Sequence, residues 1–359
     1  MPTPVLTNTM LGWAYQTETI NNILPTTSFL KALMFGGREA TVPTESIELS
    51  YLVGTRKMAP FVEVNSEAVM VAGRSKVFAN VSPPNIRIKK PMEAFSALVK
   101  RQPGTGVFTN GGQILAARRK AIGEDLQTMR DLIDVREEWM VAQMLTGTTA
   151  ASIVLSYSSA ELANFTITVP RPHATDFVAT AGVSWATSTA IYNDFHRAKT
   201  VMAKHQQLPV TDCIMGATAA VNFINNTTVH ALLDNKNIDA GALALQNQFN
   251  ESGVVYLGRF AGVRCWQYVA EYINDAGSSV EFIGAEQAIF VHAGPANKSI
   301  WWYGAIADHD AMDQGLLETK MFVKSKNTWD PSSHVQLAHS RPLPMLRKTG
   351  CVYVLDTVP

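Results

Sequence analysis

The residues best suited to chemistry in this chain of 359 residues fall into a few short groups. Gly104 to Gly112 is a glycine-rich run just before a helical pattern, as in a phosphate-binding loop. Gly106 and Gly111 have the P-loop spacing, but Gly112 and Gln113 stand where lysine and serine or threonine are needed. Such a loop would lack both the cation for the phosphates and the hydroxyl for magnesium. The glycines do not give the dinucleotide spacing either, and they read as a flexible entry to a helix. Asp308, His309, Asp310 and Asp313 set an imidazole among carboxylates, a combination that can bind a metal or exchange protons. Their spacing matches no metal motif, so the expectation is an exposed polar turn.

Nucleophilic and zinc chemistry find no support. The chain has no Gly-x-Ser-x-Gly elbow and no His-Glu-x-x-His helix, and His173, His196, His205, His230, His292, His334 and His339 are scattered. Cys213, Cys265 and Cys351 are odd in number, far apart and without close histidines, which points to buried free thiols in a reducing compartment. Trp301, Trp302 and Tyr303 could stack on a base or a sugar, yet neighbours in a strand face opposite ways. One tryptophan in the core and one at an interface is the simpler account. The sequence therefore assigns no catalytic residue, no cofactor-binding residue and no metal ligand.

Composition narrows the classes further. With 47% hydrophobic and 17% charged residues the chain can bury a sizeable core, enough for about two domains. Thirty basic residues balance thirty acidic ones, so contact with DNA should be weak and nonspecific. No apolar run approaches the ~18 residues that cross a bilayer, and Lys31 is the first basic residue, so neither a membrane span nor a charged secretory leader is expected.

The elements that must carry these residues begin with one long amphipathic helix between Asn110 and Gly147. Leu115, Ile122, Leu126, Met129, Ile133, Met140 and Met144 fall at steps of three, four or seven and form one stripe, which Leu132 and Trp139 widen. Thr109 or Asn110 can cap its start, and Gly147 suits a left-handed end. At 1.5 Å per residue it would span on the order of 50 Å, a length that demands a partner surface. Its other face mixes signs, with Arg130 and Asp134, and Lys120 and Glu124, four apart.

Residues 1–39 read as an arm with one short helix, Ser28 to Phe35, stopped by Gly36 and Gly37. From Ala40 to Lys90 the chain turns extended: Ile47, Leu49, Tyr51 and Val53 alternate with polar residues, and Phe61, Val62, Val64, Val69 and Val71 suggest returning strands. Such a sheet is marginal alone and should lie on something else. A strand at Leu162 to Val169 and a helix at Ala190 to Lys204, with Ile191, Phe195, Ala198 and Met202 inward, precede a compact α+β insertion from about 210 to 300. Strands around Thr319 to Val323, Val335 to His339 and Cys351 to Asp356 close the chain. The fold class is α+β.

The order of these parts, and several short stretches, resemble the lambda-type major capsid proteins of tailed bacteriophages, the capsid E family, which have the Hong Kong 97-like fold. Thr27 to Phe35 (TSFLKALMF) is similar to the family's first helix, and Met58 to Lys90, with Ser82, Pro83 and Ile86 to Lys89, to one side of its extended loop. Glu137 to Gly147 (EEWMVAQMLTG) resembles the end of the long helix. The strongest likeness is Tyr303 to Ile306 (YGAI), Asp308, Trp329, Asp330 and Arg341 to Leu346 (RPLPML), in the family's order.

The resemblance implies an N-terminal arm with a short helix at 1–39, an extended β-hairpin loop at 40–88, and a peripheral domain at 89–208 that includes the spine helix 110–146. An axial domain at 209–300 and peripheral C-terminal strands at 301–359 would follow. It also implies a structural head protein and not an enzyme. Pentamers and hexamers would assemble in the host cytoplasm into an icosahedral or prolate shell of the virion around double-stranded DNA, with scaffolding, portal and decoration proteins as partners. The long helix's mixed charges would then face neighbouring subunits. No lysine, asparagine and glutamate set matches a covalent cross-link. Two alternatives stand beside it: a cytosolic enzyme or binding module with a site at Asp308 to Asp313, and another virion protein such as a tail tube.

Overall fold

The computed structural model describes residues 13–22, 28–53, 75–93, 111–146, 152–157, 165–170, 176–187, 189, 191–233, 241–243, 250, 252–297, 299–306, 308–313, 318–330, 333–346 and 348–359. They fall into two compact units: one of 1–45, 83–141 and 301–344, and one of 46–82, 142–300 and 345–359.

The first unit is built on the long helix, Gly111–Thr146. Ile122, Leu126, Met129 and Ile133 are buried and pack with Met321 and with Met92, Val323 and Ala338 of an antiparallel sheet ordered Phe322–Thr328, Ser333–Ser340, Ile86–Glu93. Strand alternation explains the fit: Ile86, Ile88 and Met92 point to the helix while Arg87, Lys89 and Pro91 are exposed. Pro91 is tolerated because this strand lies at the sheet edge. The expected stripe is therefore correct in its centre, and Met140 and Met144 are buried as well. Leu132 is not part of it: this side chain is 53% exposed, because it lies about 100° around the helix from Ile133, beyond the buried stripe. The capping positions Thr109, Asn110 and Gly147 lie outside the described residues.

The arm contains two helices, not one. The additional helix, Trp13–Asn22, has a largely polar sequence with little apolar stripe to announce it. It is held by side chains that imitate a strand: Thr17 Oγ1 accepts the Val323 amide at 3.0 Å and donates to the Val323 carbonyl at 3.1 Å, and Asn21 Nδ2 donates to the Met321 carbonyl at 3.1 Å. The expected helix is Phe29–Phe35, ended by Gly36 at φ +55, a left-handed conformation that glycine adopts without strain. A short strand, Glu39–Thr41, then runs parallel to Ile300–Tyr303, which is followed in its sheet by Pro342–Met345.

The second unit is organised by a seven-stranded mixed sheet in the order Val178–Thr180, Val352–Asp356, Gln287–Val291, Asp212–Met215, Val263–Tyr268, Val254–Phe260, Gly241–Leu243. The helix Ile191–Gln206 packs against it with Ile191, Phe195, Ala198 and Met202 fully buried, as its spacing predicts. The helix ends at Gln207, whose φ of 55 turns the chain before Pro209. Ala217–Asn225 follows on the same core through Ala219, Ala220 and Phe223. Gly216 is required at the turn before it: an added Cβ would lie 2.2 Å from the Gly284 carbonyl oxygen.

Two further hairpins group with this unit. Ile47–Val53 pairs antiparallel with Ser75–Val81, and Ser152–Tyr157 with Phe165–Pro170. The second matches the strand expected at Leu162 to Val169 and adds an unexpected partner strand. Phe61, Val62, Val64, Val69 and Val71 lie outside the described residues.

Candidate functional site

The most highly organised polar centre of the first unit is a buried ionic hub that ties the arm to the long helix. Lys31, on the helix Phe29–Phe35, places its Nζ 2.7 Å from Glu137 Oε2, 3.1 Å from Glu39 Oε1 and 3.1 Å from the Tyr303 hydroxyl. The same ammonium lies 4.7 Å from the centre of the Trp301 ring, a cation–π contact. Glu138 turns its carboxylate to the start of the arm helix, where Oε1 accepts the Leu30 amide at 2.6 Å and Oε2 the Lys31 amide at 3.1 Å. These amides have no partner within their own helix, so Glu138 caps it from a distant segment where Ser28 makes no side-chain cap. Glu39 is shared with Lys320.

Burial and charge pull against each other here. Burial by itself would lower the Lys31 pKa, but Glu137, Tyr303 and Glu39 hold it far above the ordinary lysine value, so the ammonium stays charged. Burial raises Glu137 despite Lys31, because this carboxylate is sealed from water while the lysine has several acceptors. Tyr303 is raised by burial and by Glu137. Glu39 is held below the usual carboxylate range by Lys31 and Lys320, which outweigh its burial. The charged lysine joins the arm helix, the strand Glu39–Thr41 and the long helix at one point. The chemistry of the hub is cohesion.

The long helix carries the rest of this charge inward. Asp125, Arg130, Asp134, Glu137 and Glu138 are all buried. Lys90 meets Asp125 at 2.8 Å, and Arg130 meets Asp134 at 2.8 Å. The expectation that the mixed charges face solvent or a neighbour is thus corrected for these residues, since their partners belong to the same unit. Lys120 and Glu124 do remain at the surface, 3.9 Å apart. The signal was present in the sequence: Glu137 lies four residues after Ile133 and three before Met140, in the apolar stripe itself.

The other candidates are dispersed. Asp308 is buried and not in an exposed turn. Its carboxylate receives Lys324 Nζ at 2.8 Å, the Asp310 amide at 3.0 Å and, more distantly, Arg87 at 3.7 Å. Burial would raise its pKa, but Lys324 and the Asp310 amide hold it below the usual range. His309, Asp310 and Asp313 lie exposed on the short helix His309–Asp313, where Asp310 also meets Lys324. Trp301 and Tyr303 are buried and Trp302 is half-buried. Trp329 is 96% exposed after the strand Phe322–Thr328. The cysteines are free and buried; burial pushes the Cys265 thiol up to about 12. His205, His292, His334 and His339 have polar partners, and His196 and His230 are exposed. Residues 104–110 and His173 lie outside the described residues, while Gly111, Gly112 and Gln113 open the long helix. Among the described residues no group of three or more histidines, cysteines and carboxylates could hold a metal.

A helix of this length, stapled by buried charge to an N-terminal arm and a sheet, is a framework, and comparison with known families gives it a place. The sequence matches the phage major capsid protein E family over residues 12–356. The chain belongs to that family. This capsid protein has a mixed helix and sheet fold similar to a prophage protein of E. coli CFT073 described as a capsid protein, at 15% identity, with 98% of this chain and 99% of that chain covered and a TM-score of 0.66. It is similar also to a phage-related protein from Bordetella bronchiseptica RB50, at 11% identity, 96% of each chain and a TM-score of 0.51. The capsid of cyanophage P-SCSP1u follows at 10% identity, covering 93% of this chain and 89% of that one, with a TM-score of 0.50. No curated protein sequence gives a significant match. The role of the capsid protein is structural, as a component of the virion. Among the described residues no helix is long and apolar enough to cross a membrane.

Proposed function

We propose that this capsid protein assembles as pentamers and hexamers into an icosahedral or prolate shell around double-stranded phage DNA, with the hairpin Ile47–Val53 and Ser75–Val81 reaching a neighbouring copy. The observation that carries the reading is the family match over residues 12–356. The hairpin adds a physical reason, because a two-stranded sheet is marginal in water and gains its stability when another surface covers it. Residues 209–300 serve as the axial domain around the fivefold and sixfold axes, and 89–208 with 301–359 as the peripheral domain. The seven-stranded sheet crosses that boundary, since it also takes in Val178–Thr180 and Val352–Asp356. These strands act with the axial part.

A scaffolding protein, a portal protein and a decoration protein are the further partners of this reading, and assembly takes place in the host cytoplasm. With basic and acidic residues equal at thirty each, packaged DNA meets the wall weakly. The reading is tested by replacing residues 47–81 with a short Gly-Ser linker. A folded subunit that forms no shells, by sedimentation and negative-stain microscopy, is expected; shells of parental size would overturn it. Tight capsomer binding to DNA at physiological salt would contradict the weak wall contact.

A further inference from the structure

Gly304 and Ala305 of the stretch YGAI meet Arg341, the first residue of RPLPML, in the first unit. This arginine is 3% exposed. Its Nη1 donates to the Ala305 carbonyl at 2.8 Å, and its Nη2 donates to the Glu45 carbonyl at 3.2 Å and to the Pro83 carbonyl at 3.2 Å. Glu45 and Pro83 are the residues on either side of segment 46–82. One buried guanidinium therefore holds both chain ends from which the hairpin departs.

The backbone around it is fastened in the same way. The Gly304 amide donates to the Arg341 carbonyl at 2.9 Å, the Ala305 amide to the Thr44 carbonyl at 3.3 Å, and the Val42 amide to the Tyr303 carbonyl at 2.9 Å. Gly304 is needed for the close approach of the returning end: an added Cβ would lie 2.8 Å from Pro83 Cγ. Arginine is the side chain suited to this position. Its planar fork reaches several carbonyls at fixed angles, whereas lysine offers one point of charge on a flexible stem.

We propose that Arg341 is a positioning residue that aims the hairpin for assembly. Each strand of seven residues extends about 23 Å at ~3.3 Å per residue, so a 10° error at its root moves the far end by roughly 4 Å, about one residue of register. Holding the two feet beforehand removes that freedom before subunits meet and lowers the entropy lost at the interface. The inference rests on the proposed reading that the hairpin reaches a neighbour.

The test uses the full chain with Arg341→Lys and, separately, Gly304→Ala, which keeps the arginine but displaces the Pro83 end. Spin labels at Val53, at the far end of the first strand, and at the exposed Lys89 outside the hairpin report the hairpin's swing by pulsed dipolar spectroscopy. The expected result is a subunit that still unfolds cooperatively, at a lowered midpoint, with a label distance distribution at least twice as broad and a particle yield reduced at least tenfold. A narrow parental distribution with parental yield in either folded variant overturns the proposal. If Arg341→Lys does not fold, Gly304→Ala decides by the same two readouts. A linker-replaced hairpin that still gives normal shells defeats the neighbour-contact reading, while the label distances continue to judge the clamp by themselves.

Discussion

The two units are held together by different physics. Beneath the seven-stranded sheet the core is aromatic: Phe195 lies 5.1 Å from Phe260 and 4.9 Å from Phe290 in edge-on contacts, and Trp185 stacks on it at 6.0 Å. On the long helix the core instead encloses Glu137, Glu138, Arg130 and Asp134, with the half-buried Lys31 paired to Glu137. Burial of these rings stabilises mainly through the apolar area removed from water, with a smaller preference for edge-on and stacked geometry. A buried charge tolerates few arrangements, since each lost partner leaves an uncompensated ion. The contrast shows where the subunit needs a single geometry: where the arm, the long helix and the hairpin ends converge.

The largest expected effect lies in the aromatic core. Phe195→Ala should cost about 4 kcal/mol in urea unfolding, with little dependence on pH or salt. A cost under about 1 kcal/mol would show that the rings do not hold this unit. Next comes Lys31→Met, expected to cost about 3 kcal/mol by leaving Glu137 buried without its cation. Adding Glu137→Met should restore part of the loss; no restoration would mean that the two residues do not act as a pair.

The third prediction concerns pH. His339 is fully buried between Arg87, Arg341, Lys324 and Asp308, with Asn85 as its hydrogen-bond partner. Burial and then the cations push its pKa down to about 4. Below pH 6.5 the unfolded chain binds a proton at this residue that the folded chain refuses, so its contribution is full above that pH and falls as pH drops toward 4. The slope is about 1.4 kcal/mol per pH unit. Burial likewise lowers His334, while the raised Glu137 works in the opposite direction. The measurement is therefore a difference between the parent and His339→Gln at pH 7 and pH 5, and equal pH dependence would remove His339 from the account.

The smallest effect should come from an exposed pair of the same spacing. Lys120 and Glu124 keep 65% and 51% of their side-chain surface open, so Lys120→Ala should change stability by less than ~0.5 kcal/mol. Arg130→Ala, at the buried pair on the same helix, should cost several-fold more. Equal costs for the two would dissolve the distinction between charge inside and charge outside.

The long helix, the arm helix before Gly36 and the buried stripe of Ile191 to Met202 were determined by the sequence itself, because periodicity, proline placement and glycine stops are local properties. The alternation in Ile47–Val53 marked a strand for the same reason. The tertiary structure alone decided which partner each buried charge meets. Glu137 finds Lys31 across 106 residues, Arg341 finds the Glu45 carbonyl across 296, and Thr17 finds the edge of Phe322–Thr328 across 306. A carboxylate on a helix reads as solvated until its cation is brought to it. Only the folded chain supplies that cation, and with it the difference between an exposed acid and a hub.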